Sequence, residues 1–479
     1  MTGTVHDREE DRAVVIGSGP NGLSAAIRLA QAGKQVRMLE ANDTIGGGCR
    51  SAELTLPGFI HDTCSAIHPT AIGSPFFSTL PLAQHGLEWI HPPVPLAHPF
   101  DDGTAAILSR SIDETGSSIG EDAAAWRALF EPLLEDFSVL APALMGPFTI
   151  PRHPIAMARF GMTALRSGHA VAKARFTGTR ARGLFSGLAA HSILDLDSPG
   201  TAAFGLVLSM FAHAVGWPMA VGGSQRVTDA LAGLLRSLGG EIETGTRVTS
   251  LAGLEEAAAI IFDTNPSDLL AISGDTLPAR YRRQLRHYRY GAGVHKIDWA
   301  LDGPVPWTAS DCTRAGTLHL GGTMEEIVAA EKLVAHGECP ERPFVLIAQQ
   351  SLFDPLRAPD DKHTLWGYCH VPNGSQVDMT DRIEAQIERF APGFRERIIV
   401  RSVMGTTEVE ARNANYRGGD INAGMQDLRQ LFTRPAVRLN PYTTPNPRLY
   451  IGSSATPPGG GVHGMGGFHA AEAALKRLP

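Results

Sequence analysis

The sequence predicts an α/β protein: a Rossmann-like domain with a second, interleaved domain of mixed sheet and helices. Three observations at the start of the chain carry this. Residues 13–16, Ala-Val-Val-Ile, form a short apolar run that ends in glycines, as a buried parallel strand does. Residues 22–32 are rich in Ala and Leu and stop at Gly33, which suits a helix. Gln35 to Leu39 then reads as a second strand, closing a βαβ unit. No long Gly/Ser linker divides the chain, so two domains must share it in alternating pieces.

Other elements follow from periodicity. Residues 120–145 read as helical, with Trp126, Phe130, Leu133, Leu134 and Phe137 at helical spacing. A core stripe is the simpler reading and a membrane-contact face the alternative. Residues 226–238 predict a helix ending at Gly239-Gly240, and Glu241 to Leu251 a strand, turn and strand. His295 to Trp299 reads as an alternating strand, and residues 381–391 as a helix ending before Pro392-Gly393.

A length of 479 residues suits two domains, and 43% apolar with 19% charged residues allows a large core. The net charge of −7 and the lack of a basic run argue against nucleic acid as a partner. Cys49, Cys64, Cys312, Cys339 and Cys369 contain no CxxC pair, so neither a zinc ribbon nor a dithiol redox motif is expected. No metal is expected. Reduced thiols and the polar N-terminus MTGTVHDREEDR favour a cytoplasmic protein without a secretory signal. The longest stretch without Asp, Glu, Lys or Arg, Ser198 to Gln225, is only moderately apolar and reads as a core helix rather than a membrane span.

The strongest motif is Gly17-Ser18-Gly19-Pro20-Asn21-Gly22, placed between strand and helix, with Glu40 closing the second strand. Gly17 allows the tight turn, Gly19 lets backbone approach a pyrophosphate, and Gly22 lets the helix pack closely. The helix N-terminus offers free N–H groups, and Glu40 can accept from ribose hydroxyls. With strand, helix, strand and acid all in register, the motif points to a dinucleotide. Two further segments separate FAD from NAD. One, Ala41 through Gly46-Gly47-Gly48-Cys49-Arg50, resembles the extended fingerprint of flavoprotein oxidoreductases, in which a Gly-Gly pair lies against the cofactor. The other is Leu449-Tyr450-Ile451-Gly452-Ser453-Ser454, which leads through Gly459-Gly460-Gly461-Val462-His463-Gly464 into an Ala-rich helix. That glycine-rich helix entry is a second place where backbone amides can meet an anion.

With these segments the chain resembles the phytoene-dehydrogenase-related flavoproteins of the amine-oxidase-like superfamily. Phe390-Ala391-Pro392-Gly393-Phe394, Gly418-Gly419-Asp420-Ile421, Arg434-Pro435 and Thr444-Pro445 make the resemblance specific. It is closer to the pyridine nucleotide-disulphide oxidoreductase domain-containing protein two branch than to the true carotenoid desaturases. The resemblance implies an FAD-binding domain from residues 1–80, 205–285 and 420–479, and a substrate-binding domain from 81–204 and 286–419. It implies FAD as cofactor and puts Val248 beside its adenine end. The chain departs from the family at Ser453-Ser454, at Gly48, where Arg50 can take over for a missing side chain, and at Ala423, where relatives often carry a His.

The flavin would perform the redox step, so candidate side chains are few. His68 lies in a segment that passes near the flavin ring in relatives; a structural loop histidine is the alternative. His463 sits in the glycine-rich C-terminal turn. Lys296 matches a lysine that amine-oxidase relatives carry on a substrate-domain strand; an exposed strand lysine is the alternative. The absence of Cys from residues 440–479 argues for non-covalent flavin. Gly222-Gly223-Ser224 and Gly321-Gly322 do not complete a second dinucleotide motif, so electrons are expected to pass to oxygen or a quinone. The expected activity is dehydrogenation, desaturation or oxidation of an apolar or lipid-like substrate. The alternatives are a flavin-dependent polyene isomerase or saturase, an amine oxidase, or a non-catalytic flavoprotein module. Only Tyr450 and Phe468 offer aromatic rings near the C-terminal segment, which leaves an amine substrate without support. Peripheral membrane contact is plausible for lipid substrates in this family.

Overall fold

A computed structural model describes residues 12–148 and 150–478. Residues 1–11 of the N-terminal segment read above as lacking a signal lie outside the described residues. The first strand, Arg12–Ile16, is the centre of a five-stranded parallel sheet ordered Leu449–Ile451, Ala259–Phe262, Arg12–Ile16, Gln35–Leu39, Glu241–Glu243. Parallel strands need cover on both faces. Ala13, Val15, Val36 and Met38 pack with the helices Pro20–Gln31 and Gln225–Ser237 on one side. Val14, Ile16, Ile260 and Phe262 pack with Leu269, Tyr281 and Leu285 on the other.

The second sheet has seven strands, ordered Ile398–Met404, Gly293–Leu301, His363–Val371, Val345–Ala348, Ala315–Leu320, Val94–Pro99, Ala105–Leu108. It is mixed: Ala315–Leu320 and Val94–Pro99 run parallel, and every other pair is antiparallel. The Rossmann-like α/β unit and the mixed sheet with helices are thus as the sequence predicts. One expectation fails. Gly293–Leu301 does not alternate between buried and exposed positions, because all nine residues are buried. Ile297, Trp299 and Leu301 pack under the helix Thr380–Phe390. The other face, with Lys296 and Asp298, is also covered, so both are buried as well.

Two further elements differ from expectation, and the uncharged stretch follows it. Residues 120–145 form two helices, Ala123–Glu135 and Phe137–Leu144, hinged at Asp136. Trp126 and Phe130 are buried, as a core stripe requires, and Trp126 Nε1 donates to His213 Nε2 at 3.1 Å. Only Glu241–Glu243 of the expected strand, turn and strand is a strand. Gly245 turns at φ +68°, and residues 246–249 run along the ligand cavity instead. The uncharged stretch forms a buried helix, Ala202–Ala214. Among the described residues no helix is long and apolar enough to cross a membrane.

A fully buried ion cluster ties the two sheets' segments together. Arg357 donates to Asp62 Oδ2 at 3.1 Å and to Asp354 Oδ2 at 2.9 Å. The same carboxylates accept from Ser224 N at 2.8 Å and Gly222 N at 2.7 Å. This is the structural use of the Gly222-Gly223-Ser224 turn. Arg357→Met leaves two buried carboxylates without their cation, and denaturant unfolding should show a loss of about 3–5 kcal/mol. An unchanged midpoint would mean that the cluster contributes nothing net.

Candidate functional site

The glycine turn is shaped by contacts that no side chain would permit. Gly17 has φ +99°. A Cβ on Gly22 would sit 2.0 Å from the Gly17 carbonyl oxygen, and one on Gly19 would sit 2.6 Å from Asp263 Oδ2. Gly22 therefore packs the turn closed and does not line the cavity, and its N–H donates to Asp263 Oδ2 at 2.9 Å. Gly17, Ser18, Gly19, Pro20 and Asn21 line a cavity of about 1390 Å³. No acid lies in the first turn of Pro20–Gln31, so its positive end is not neutralised within the helix. The Asn21 side chain turns away to the C-terminal helix Met465–Leu475, where its Oδ1 accepts from Gly466 N at 3.1 Å and from Gly467 N at 3.4 Å.

That contact uses the first amides of the C-terminal helix itself, leaving its glycine-rich entry as the part of this segment at the cavity. Its Gly466 and Gly467 amides serve Asn21, and the Met465 N–H donates to His463 Nδ1 at 3.0 Å. What faces the cavity is the preceding turn, Gly460, Gly461, Val462 and His463. Gly452 does not line the cavity: a Cβ there would meet Ala470 Cβ at 2.6 Å, so it serves helix packing. Ser453 does line it.

Glu40 lines the cavity but is already saturated. Oε2 accepts from Ser18 N at 2.9 Å and Ser18 Oγ at 2.6 Å; Oε1 accepts from Asn42 N at 2.9 Å and Asn42 Nδ2 at 2.8 Å. A carboxylate offers about four acceptor positions. A ribose hydroxyl reaches it only by displacing Ser18 Oγ or Asn42 Nδ2. Ala41, Gly47, Gly48 and Val248 line the same cavity. Arg50 does not replace a side chain at Gly48. It donates from Nε to Gly47 O at 3.0 Å and from Nη2 to Arg412 O, while Tyr416 fills the space, its hydroxyl 2.1 Å from where a Gly48 Cβ would stand.

The three acid–base candidates have different fates. His463 lines the cavity, and its Nε2 is buried without a partner. Because Nδ1 accepts from Met465 N, the proton sits on Nε2, which makes that atom a donor rather than a base. Burial lowers its pKa to about 4, so it stays neutral. His68 does not line the cavity, although Ile67 and Pro69 do. It is fully buried, bonded through Nε2 to Ser224 Oγ at 2.9 Å and set against Trp89, so it is a packing residue. Lys296 is buried, not exposed. It pairs with Asp298 and lies over the Trp366 ring, 5.7 Å from its centroid. It lines a small recess that shares Gly47, Cys64, Trp366, Tyr368 and Tyr416 with the main cavity, so it stands beside the cavity without lining it. Neither Tyr450 nor Phe468 reaches the cavity; Tyr450 is buried in its strand and Phe468 packs on Phe76 at 4.7 Å.

Away from the glycine turn the cavity wall is apolar. The helices Phe137–Leu144, Pro154–Ala164 and Ala202–Ala214 contribute Leu140, Met157, Phe160, Leu208 and Phe211. The mixed sheet contributes Thr317, Leu346, Ala348, Trp366 and Tyr368. Sequence reasoning missed Trp366, Tyr368, Tyr416, His191 and Asp263. Asp263 had a signal: it stands at the carboxyl end of a buried parallel strand, where ligands of such sheets gather. Trp366 and Tyr368 had only a strand period, which does not say which face meets a ligand.

Asp263 has the most informative ionisation. Burial pushes it up, the Gly22 and Gly19 amides pull it down, and Glu40 pushes it up again, to about 7. A carboxyl group raised in the folded state stabilises it fully below its unfolded value and loses that contribution as pH rises through the folded value. The melting temperature of the ligand-free protein should therefore fall from about pH 4 to about pH 7, relative to Asp263→Asn. Parallel curves for the two proteins would contradict the shift.

Comparison with known proteins agrees with this geometry. Residues 15–79 match the NAD(P)-binding Rossmann-like domain family. The chain is 25% identical to pyridine nucleotide-disulfide oxidoreductase domain-containing protein 2 of Rattus norvegicus, over 98% of this chain and 94% of that protein. It is 25% identical to the neurosporene-forming phytoene desaturase of Rhodobacter capsulatus, over 94% of this chain and 91% of that one. Wild-type putrescine oxidase bound to putrescine superposes with a TM-score of 0.62 over 98% of this chain and 99% of that one, at 18% identity, a likeness of fold alone. The chain is thus a homologue of the pyridine nucleotide-disulfide oxidoreductase domain-containing protein 2 sequences and of the phytoene desaturases, built on the fold that the amine oxidases share.

Proposed function

We propose that the protein is an FAD-dependent oxidoreductase. It would hold its flavin without a covalent bond and take a hydride from a largely apolar, small or lipid-like substrate, passing electrons to oxygen or a quinone. The observation that carries this reading is one continuous cavity. It runs from the Gly17–Asn21 turn, at the carboxyl ends of the parallel sheet, to the apolar helices and the Trp366–Tyr368 face of the mixed sheet. A volume of about 1390 Å³ exceeds the usual range for a single small ligand, as a dinucleotide with a substrate beside it requires.

The residues fit the cofactor. The glycine turn lines the cavity with backbone, its missing side chains letting it pack against Asp263, and His463 carries a buried donor without a partner. Gly17, Gly19, Pro20 and Asn21 would hold the pyrophosphate, Ala41 and Val248 the adenosine end, and Gly47, Gly48, Ser453 and Gly461 to His463 the flavin end. FAD, when bound, supplies the hydride acceptor. The chain's own part is to bind, orient and keep water out, which the apolar helices and Trp366 do by lining the substrate side. Residues 1–80, 205–285 and 420–479 form the cofactor domain in this reading, and 81–204 and 286–419 the substrate domain. A cationic amine fits less well. The acids that line the cavity among the described residues, Glu40, Asp263 and Asp268, all stand on the dinucleotide side.

The mouth of the cavity suggests how an apolar substrate arrives. Phe148, Leu165 and Phe432 line the cavity and are exposed, and Ile155 and Met162 are exposed on the helix Pro154–Ala164, which also lines it; Arg152, Arg159 and Arg166 lie in the same segment, with Arg159 paired to Asp136. Residues 137–194 contain no Asp or Glu, although the whole chain is acidic. An apolar surface with a basic fringe is complementary to an anionic lipid surface, so this face would rest on a membrane without spanning it. Sedimentation with phosphatidylserine vesicles should exceed that with phosphatidylcholine vesicles and should fall several-fold in Ile155→Ser/Met162→Ser. Equal sedimentation with both lipids would remove the membrane role.

The flavin reading is tested by acid precipitation and by anaerobic addition of NADPH or NADH. Flavin should leave with the supernatant, and the visible band should persist with either nucleotide. Rapid bleaching would reveal a nicotinamide site and favour a reductive reaction. A protein that binds no FAD would end the reading.

A further inference from the structure

The glycine turn at the dinucleotide end already holds an anion of the protein's own. Asp263 follows the strand Ala259–Phe262, which neighbours the first strand in the parallel sheet. Its Oδ2 accepts at 2.9 Å from Gly22 N, in the first turn of Pro20–Gln31. A Cβ on Gly19 would stand 2.6 Å from the same oxygen, so the carboxylate lies directly against the turn. The helix has no acid of its own in that turn, and its positive end is offset from the neighbouring strand instead. Asp263 lines the cavity and keeps 8% of its surface exposed, enough for a proton to reach it.

No cation offsets this carboxylate. The charge that acts on it comes from Glu40, a second acid, which stands at the end of the strand Gln35–Leu39 and is bonded to Ser18 and Asn42. The helix that follows Asp263, Pro266–Ser273, carries Asp268, which is paired with Arg417 at 2.8 Å. The turn on its other side brings Asn415, whose Nδ2 donates to the Asp263 carbonyl at 3.2 Å, and Tyr416, which burial keeps neutral. The neighbouring strand Leu449–Ile451 runs on into Gly452 and Ser453, neither of them titratable. Arg247 and Arg412 also line the cavity, and neither is paired with Asp263. Burial holds the cavity histidines His191, His463 and His469 to about 3, about 4 and about 4, so they stay neutral.

We propose that Asp263 takes up one proton from solvent when the pyrophosphate of the dinucleotide docks on the glycine turn, so that this side chain ties cofactor affinity to pH. The phosphates share the turn with a carboxylate that has no counter-ion, and like charges in a partly buried place disfavour each other. Taking a proton removes the conflict. The neutral acid still accepts from Gly22 N through its carbonyl oxygen, so the turn keeps its shape. The coupling is reciprocal: the factor by which docking raises the proton affinity of Asp263 is the factor by which the proton raises cofactor affinity. Without ligand the group titrates at about 7, which puts the effect near neutral pH. The inference rests on reading the cavity as the FAD site and adds what governs the hold on that cofactor.

The test reads binding and needs no turnover. Flavin-loaded protein is diluted in series at each pH from about 5.5 to about 8.5, and released FAD is read by its fluorescence. The dissociation constant should rise about 10-fold from about pH 6 to about pH 8, as uptake of one proton per cofactor requires. Asp263→Asn keeps an acceptor for Gly22 and loses the charge. Its constant should change less than about 2-fold over that range and lie below the parent's at about pH 8. An infrared difference spectrum of the parent protein, with and without saturating FAD at about pH 8, should gain a protonated-carboxyl band and lose a carboxylate band, and it decides the matter without a variant. A flat or falling constant in the parent protein, a rise that persists in Asp263→Asn, or no carboxyl band would overturn the proposal. Protein that takes up no flavin at any pH ends the cofactor reading and this inference with it, whereas flavin held equally at every pH ends this inference alone.

Discussion

Everything in the structure is arranged around one close approach of backbones at the N-terminus of the first helix. Gly22 lies against the Gly17 carbonyl, and a Cβ on Gly467 would stand 1.7 Å from the Asn21 carbonyl oxygen. Asp263 reaches in from the neighbouring strand to accept from Gly22. Three segments separated by hundreds of residues therefore meet where only glycine and hydrogen-bonded carboxylate fit. The two ends of the chain are held together there, and the cavity opens directly above. The constraint is steric, so it tolerates almost no substitution, whereas the apolar wall farther along can repack at modest cost.

The mixed sheet answers a different requirement. Both its faces are covered, so its polar residues must find partners inside the protein. Lys296 has Asp298, His370 Nδ1 meets both Glu331 oxygens at 2.8–2.9 Å, and Trp299 donates to Glu384 at 3.0 Å. Arg357 with Asp62 and Asp354 does the same at the seam with the parallel sheet. Several buried polar atoms nonetheless have no partner in the protein, among them Asp298 Oδ1, Thr364 Oγ1 and His370 Nε2 of this sheet, as well as atoms of Thr317, Trp366 and His463, residues that line the cavity. The cavity is also electrically divided. Its acids lie at the dinucleotide end, and the polar groups of the sheet wall are neutral.

Local signals were legible where geometry is set by neighbours in the chain. The strand, glycine turn, helix and second strand of residues 12–39 follow from composition and spacing, and so do the helices Gln225–Ser237 and Thr380–Phe390. The glycines of the turn were legible for the same reason, since a positive φ or a missing Cβ is a property of one position. The misreadings share a cause. His295 to Trp299 alternates in polarity, yet burial on both faces overrides that pattern. His68 sits between two cavity residues, but Ser224 draws its ring away. Glu40, by contrast, lines the cavity as its spacing implies, with Ser18 and Asn42 bonded to it.

The sequence by itself determined that a dinucleotide fold begins the chain, because that motif is written within thirty residues and depends on backbone freedom. Only the tertiary structure decided which polar residues share the cavity. Asp263, Trp366, Tyr368, His191 and Tyr416 come from distant segments and meet through strand register and sheet packing. Which face of a strand meets the ligand, and whether a buried donor is already used, depends on partners far away in the chain. No local pattern encodes either.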